Sequence, residues 1–359
     1  MSTAQFIPDT LAFSIEKTSH SWQTPSNIAL VKYWGKTDPQ IPKNASISFT
    51  LNACHTNTKI DFVKKSTTDE VQFELFFEGK KKEDFKPKIA KFFERILIYC
   101  PYLQAYQLTI HSDNSFPHSS GIASSASGMA AIAMCLMSLE KELNPNLTEE
   151  QIHKKASFLA RLGSGSASRS IEGPIVVWGE HPAIEGSSNL YGVRFPYAVH
   201  PVFEEYQDTI LLVDKGEKQV SSTVGHDLMH QHPFATQRFV QANENLEKMS
   251  QILKSGDLTA FIHLVESEAL TLHAMMLTSS PYFILMKPNT LEIINRVWAY
   301  RAATASSLCF TLDAGANVHL LYPKEEAETV VKFIKEELSV YCQKNQYICD
   351  YTGHGAKKI

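Results

Sequence analysis

The stretch from residue 124 to about 143, SSASGMAAIAMCLMSLEKEL, is built from small and apolar residues around nearly its whole circumference. A helix without a polar face lies inside a protein rather than on its surface. It follows a strand-like YQLTIHSDN and a loop, FPHSSGIASSASG, so the chain turns from strand to loop to buried helix at this point. Gly121 allows a tight turn and a close backbone approach to a ligand. Ser124, Ser125 and Ser127 offer hydroxyls, and a helix N-terminus offers free N–H groups and partial positive charge. These features favour a phosphate. A serine-rich cap on a buried helix is the plainer alternative. The loop lacks the Gly-Lys-Ser/Thr ending of a Walker A motif.

Around this segment, strands and helices mix without regular βαβ alternation, which predicts an α+β fold. SNIALVKYWGK begins as a buried strand, and PKNASISFTLNA alternates with period two. NTKIDFVKK and EVQFELFFEGKKK are expected to form a hairpin through the polar STTDE. Lys80, Lys81 and Lys82 fit a solvated turn. PKIAKFFERILIYC and LTEEQIHKKASFLARLG predict helices, the second opened by a Thr148/Gln151 capping box and stopped at Gly163. GPIVVWG is a strand. Residues 187–205 are loop-like and carry Pro196 and Pro201, which places a domain boundary there: 1–204 and 205–359. Beyond it, DTILLVD is a strand, helices are expected near 234–254, 258–276 and 290–303, CFTLDAGANVHLLY gives two short strands about a turn, KEEAETVVKFIKEEL is a helix, and YICDYTG is a last strand.

With 359 residues, 43% of them hydrophobic, the chain can build two sizeable cores. A net charge of −4 argues against a general nucleic-acid binder, while leaving room for a local cationic pocket. No apolar run reaches the roughly 18 residues that a membrane span needs. The first residues show no secretory pattern. Cys54, Cys100, Cys135, Cys309, Cys342 and Cys349 form no CxxC pair, which fits reduced thiols in a cytoplasmic protein and no zinc site. The histidines show no metal-ligand spacing.

Three further stretches bear on chemistry. RLGSGSASRS packs two glycines, four serines and two arginines into ten residues. Arg169 can hold a carboxylate or phosphate with two parallel bonds; a flexible surface loop is the alternative. In FTLDAGAN, Asp313 stands where a strand meets a glycine turn. It is either an ordinary turn residue or a carboxylate placed to orient or deprotonate a hydroxyl. In KQVSSTVGHD, Ser221, Ser222 and Thr223 either donate to a phosphate or cap a helix.

Together, SNIALVKYWGK, PKNASISFTL, FPHSSGIASSASG, SGSASRS and FTLDAGAN occur in the order seen in the mevalonate diphosphate decarboxylases of the GHMP kinase superfamily, which this chain resembles over about residues 21 to 320. The resemblance implies an N-terminal domain like ribosomal protein S5 domain 2, a ferredoxin-like C-terminal domain and a homodimer. It implies ATP-dependent conversion of mevalonate 5-diphosphate to isopentenyl diphosphate, ADP, phosphate and CO2, with Mg2+ carried on the ATP phosphates. By resemblance, Asp313 is the catalytic aspartate and Lys32 the lysine beside it. Tyr33, Trp34, Gly35, Lys36, Ser164, Gly165, Ser166, Ala167, Ser168, Arg169 and Thr223 bind substrate. Ser119, Gly121, Ser124 and Ser125 belong to the ATP site.

Departures from the family pattern are small at Thr24, Ala45 and Ser168. At Gln72 many relatives carry an arginine for the diphosphate, and Lys80 to Lys82 are candidates to replace its charge. A monophosphate substrate is the close alternative. A 3-kinase that stops after phosphorylation and an inactive binding module of the same fold are more distant ones, both disfavoured by the retained Asp313 and Lys32.

Overall fold

Residues 17 to 31 form one strand whose second half, Thr24 to Val31, is buried continuously, as its mostly small and apolar side chains suit a sheet covered on both faces. The computed structural model describes residues 2–8, 15–117, 122–214 and 222–359, without the side chains of Ser222 and Thr223. β1 (Lys17–Val31) leads through the two-residue pair β2 (Lys36–Thr37) and β3 (Ile41–Pro42) into β4 (Ser46–Lys64). β1 and β4 pair antiparallel from Lys17↔Val63 to Val31↔Ile47, with register shifts between Pro25 and Asn27 and between Ala29 and Val31. PKNASISFTLNA and NTKIDFVKK are therefore parts of one 19-residue strand. The chain then adds β5 (Gln72–Phe77), β6 (Lys80–Lys81), α1 (Lys86–Ile96), β7 (Tyr106–Asn114), α2 (Ser124–Leu143), α3 (Glu149–Gly163), β8 (Ile175–Trp178) and β9 (Gly192–Arg194).

The hairpin expected across STTDE does not form. β7 lies between β4 and β5, antiparallel to the first and parallel to the second. The fully buried Leu108 and Ile110 of β7 explain the choice. A central strand buries apolar side chains on a covered face, at roughly 1.5–3 kcal/mol for each large one. The 187–205 stretch also departs from a plain loop, since β9 pairs with β8 inside it.

α2 is buried along most of its length, as its composition requires, and packs among β1, β4 and α3. The Thr148/Gln151 capping box forms as predicted. Gly163 ends α3, and a Cβ there would fall 2.6 Å from Met129 Sδ, so the position also needs glycine for packing.

In the second half, β10 (Gln207–Leu211), α4 (Ser222–Asp227), α5 (Ala235–Ser255), α6 (Leu258–Leu277), α7 (Pro288–Thr304), β11 (Cys309–Thr311), β12 (Val318–Tyr322), α8 (Ala327–Phe333) and β13 (Tyr347–Tyr351) surround a four-stranded antiparallel sheet of order β11-β12-β10-β13. The final strand, β14 (Lys357–Lys358), returns to pair with β1. On the way back, the buried Asp350 carboxylate accepts the N–H groups of Asn52, Ala53 and Cys54 at 2.7–3.0 Å. This fastens the second sheet to β4. The fold is α+β, with a sheet in each half. Among the described residues, no helix is long and apolar enough to cross a membrane.

Candidate active site

The end of β1 meets the turn after β11. Lys32 follows the last residue of β1, and its Nζ donates to Asp313 Oδ1 at 3.0 Å. Lys32 is 1% exposed, whereas the Asp313 side chain keeps 30% of its surface. Burial lowers the Lys32 pKa, while the Asp313 charge and hydrogen bond raise it; Arg169 opposes them. The carboxylate is the more exposed partner, and the lysine backs it. His273 Nε2 lies 3.1 Å from the Asp313 carbonyl oxygen. Burial holds His273 down to about 4. It is therefore neutral near pH 7, and its Nε2–H donates to that carbonyl.

Arg169 stands on a 3₁₀ turn, Gly165–Ser170. Its Nη1 donates to Ser46 Oγ at 2.5 Å and its Nε to Asn27 Oδ1 at 3.3 Å. Its guanidinium carbon lies 5.8 Å from the centre of the Trp178 ring. The Ser46 hydroxyl is aimed by its own donation to the Trp178 carbonyl. Burial lowers the Arg169 pKa to about 10, with Asp313 pulling the other way. The guanidinium is charged at neutral pH and lies within the field of Asp313.

The serines of this turn do different work. Ser168 Oγ donates to the Gly165 carbonyl, and the Ser168 carbonyl accepts from Ser157. Ala167 is buried, and Ser164 and Ser166 are partly exposed. A Cβ on Gly165 would sit 2.8 Å from the Trp178 ring and 2.9 Å from the Tyr33 hydroxyl. Arg161 does not enter the site. It is buried and donates to the carbonyls of Leu190, Pro39 and Gln40.

Tyr33 packs against Trp178 and His226, at 4.6 and 4.3 Å between ring centres. Its hydroxyl is buried without a hydrogen-bond partner among the described residues. Trp34 lies against His226 with ring centres 4.6 Å apart and the planes tilted by 39°, and it shares a buried cluster with Met229 and Met276. Gly35 has φ +100°, and a Cβ there would meet the Phe239 ring at 2.8 Å. Its N–H donates to His226 Nδ1 at 2.9 Å. Burial, then Lys36 and Arg169, press the His226 pKa down to about 3. Lys36 is 7% exposed; burial lowers its pKa, Asp227 and Asp38 raise it, and Arg95 and Lys91 lower it.

α2 begins beside this cationic region. Ala123 caps it in the left-handed conformation, with φ 46°. Ser26 Oγ and Thr24 Oγ1 donate to the carbonyls of Ile122 and Ser127, which ties the helix start to β1. Ser127 is consumed by a 2.6 Å hydrogen bond with Thr56. Ser125 is exposed, and its Oγ accepts from Lys88 Nζ on α1 at 2.9 Å. Ser124 is partly exposed. Ser119 and Gly121 lie outside the described residues, as do Ser221 and the side chain of Thr223.

Gln72 is exposed on β5. Lys81 pairs with Glu74 and Glu83, and Lys82 with Asp84, all at the surface. Lys80 and Lys81 are exposed on the short strand β6, so the run is solvated as expected although it is not a plain turn, and the charges of Lys81 and Lys82 are paired there. The positive charge that acts on Lys36 comes from Lys91 and Arg95 of α1 instead. Among the described residues, no group of three or more His, Cys, Asp or Glu side chains could hold a metal ion.

Sequence reasoning passed over His226, His273, Asn27 and Ser46. The last two sit inside SNIALVKYWGK and PKNASISFTL, where strand alternation hid their polarity. His226 sits in KQVSSTVGHD, which was read for its hydroxyls.

Comparison with known proteins shows what the whole chain is similar to. Residues 24–189 match the family described as the diphosphomevalonate decarboxylase-like N-terminal domain, and residues 209–357 match the mevalonate 5-diphosphate decarboxylase C-terminal domain. The chain is 30% identical over 332 residues to diphosphomevalonate decarboxylase from Ganoderma lucidum, covering 86% of this chain and 80% of that one. It is 29% identical over 327 residues to the Aspergillus fumigatus enzyme mvd1, covering 87% and 78%. Among solved structures, mevalonate diphosphate decarboxylase from Staphylococcus aureus superposes with a TM-score of 0.80 at 28% identity, covering 96% of this chain and 98% of that one. A complex of MDDEF with MVAPP, AMPPCP and magnesium gives a TM-score of 0.80 at 27% identity, covering 96% and 99%.

Proposed function

The chain belongs to the diphosphomevalonate decarboxylase family, and on that premise we propose that Asp313, Lys32 and Arg169 carry out the family reaction in the cleft between the two sheets. It is an enzyme of the GHMP kinase fold that decarboxylates mevalonate 5-diphosphate at the expense of ATP. The observation that carries the residue assignment is the 3.0 Å contact between Lys32 and Asp313, which joins the end of β1 to the turn after β11.

The Asp313 carboxylate receives the proton of the substrate's tertiary 3-hydroxyl as that oxygen takes the γ-phosphoryl group. Lys32 favours the ionised form that can do this. Charge developing on the transferred group is offset by fixed cations and by the N-terminus of α2. Mg2+, when bound on the nucleotide, neutralises part of the phosphate charge; oxygen-rich ATP suits it better than a protein cage does. The 3-phosphate then leaves with its electron pair, and the cationic carbon draws the electrons of the C–CO2 bond. CO2 departs and the double bond of isopentenyl diphosphate forms. Arg169 suits the substrate carboxylate, since Ser46 and Asn27 fix its plane. Lys36 and the buried Tyr33 hydroxyl suit the diphosphate, with Lys91 and Arg95 strengthening the positive potential there. Ser124 and Ser125 belong to the ATP site in this reading, together with Ser119 and Gly121. Gly35 and Gly165 supply close backbone approach, and Thr223 belongs to the substrate side.

The domain boundary at 204/205, a homodimer and a cytoplasmic setting complete the proposal. All six cysteines are unpaired, which supports a reducing compartment. The test is to incubate the protein with Mg-ATP and either mevalonate 5-phosphate or 5-diphosphate, following ADP, phosphate and CO2 separately. Equal amounts of all three with the diphosphate are expected. ADP without CO2 would make the protein a kinase, and a preference for the monophosphate would overturn the diphosphate site.

A further inference from the structure

The main chain of Lys32 lies beyond the last paired residue of β1, just after a register shift against β4, so the sheet does not satisfy it. The second half of the chain supplies its partners. Glu268 on α6 is 0% exposed, and its Oε2 accepts the Lys32 N–H at 2.8 Å. Arg238 on α5 donates to Glu268 Oε1 at 2.9 Å and also to Oε2, while Asn245 donates to Oε1 at 2.6 Å. The Lys32 carbonyl is held as well, by Asn44 Nδ2 at 3.0 Å and by Arg238 Nη2 at 3.4 Å. The same helix, five residues on, carries His273, which grips the Asp313 carbonyl at 3.1 Å.

We propose that Glu268 is a positioning residue for the decarboxylation: α6 fixes the main chains of Lys32 and Asp313 at once, through Glu268 and His273, and thereby sets the contact between their side chains. This rests on the assignment of Lys32 and Asp313 as the reacting pair. The argument is one of placement. A buried carboxylate holding two guanidinium N–H groups, an amide and a backbone N–H is fixed by all four, while Arg238 Nε has no partner among the described residues. Set against the ion pair alone, an apolar pair of the same volume would serve stability as well or better. The ionic arrangement adds a defined acceptor for the Lys32 N–H. Because the site is assembled from two halves of the chain, an error at this joint displaces the ammonium directly. A misplacement of about 1 Å costs up to roughly 100-fold in rate.

The experiment compares the wild type with Glu268→Gln, the double variant Arg238→Met/Glu268→Leu, and Lys32→Met, measuring kcat and KM for mevalonate 5-diphosphate and Tm for each. The double variant removes the buried charges together but leaves the Lys32 N–H and the Asn245 amide without their acceptor, so a lower Tm is expected and kcat is read at a temperature where the variant is fully folded. Its kcat is expected to fall about 10–100-fold with KM for substrate and ATP changed less than about threefold. Glu268→Gln keeps a carbonyl acceptor and is expected to fall between the two. A folded double variant, or a folded Glu268→Gln and Glu268→Ala pair if the double variant does not fold, with wild-type kcat overturns the proposal. A loss of kcat that tracks Tm and disappears on cooling also overturns it, since that is a structural role alone. Wild-type kcat in Lys32→Met would instead sink the assignment of the reacting pair.

Discussion

Lys32 Nζ and Asp313 Oδ1 are 3.0 Å apart in space and their residues 281 positions apart in the chain. The lysine is buried and the carboxylate is partly exposed. The pair exists only when both halves are folded and docked, so in the proposed mechanism catalysis depends on the joint between them.

Lys32 and Lys36 lie four residues apart but serve different ends of the substrate in this account. Lys36→Ala is expected to raise KM for mevalonate 5-diphosphate with little change in kcat. Lys32→Ala is expected to lower kcat with a smaller effect on KM. Steady-state kinetics on both variants checks this, and the reverse pattern would contradict the division of labour.

Arg169→Lys keeps the charge but cannot reproduce the two fixed donations to Ser46 and Asn27 or the stacking on Trp178. A weakening of substrate binding by about 10-fold or more is expected, the size of a lost charge-assisted hydrogen bond of about 1.5–3 kcal/mol. ATP binding without substrate should change little. Titration calorimetry with each ligand separates the two effects.

His226 has its pKa pressed from 6.5 to about 3 by burial and by nearby cations. The unfolded chain takes up a proton near pH 6.5 and the native state does so only near pH 3. Stability is therefore fully present above about pH 6.5 and is lost as the pH falls toward 3, by up to about 1.4 kcal/mol per pH unit. His226→Asn retains an acceptor for the Gly35 N–H and is expected to flatten this acid loss. Urea unfolding at pH 7, 6 and 5 measures it; an unchanged slope would contradict the buried neutral imidazole.

Much of the candidate site was legible because its residues lie in short stretches of unusual composition. Tyr33, Gly35, Lys36, Arg169 and Asp313 stand out where lysines, aromatics, serines or glycines crowd together, and the structure links several of these stretches: Lys32 meets Asp313, Tyr33 and Arg169 both lie against Trp178, and Gly35 bonds His226. The capping box at Thr148 and the interior nature of α2 were legible for the same reason, being local. What remained hidden is long-range. The insertion of β7 between β4 and β5 depends on which strand buries better, not on the turn between them. Glu268, Arg238 and Asn245 sit on amphipathic helices where charged residues ordinarily face water, and only tertiary packing turns them inward. Lys80 to Lys82 show the converse, since this conspicuous charge run lies at the surface, with Lys81 and Lys82 in ion pairs there.

The most direct test of the account is a single-turnover experiment on Asp313→Asn with Mg-ATP and mevalonate 5-diphosphate. The carboxamide keeps the shape but neither accepts the hydroxyl proton nor carries the charge that Lys32 faces. A fall of at least about 10²-fold in the rates of phosphate and CO2 release is predicted, with nucleotide-analogue affinity unchanged. CO2 release at the wild-type rate would contradict the role of the Lys32–Asp313 pair.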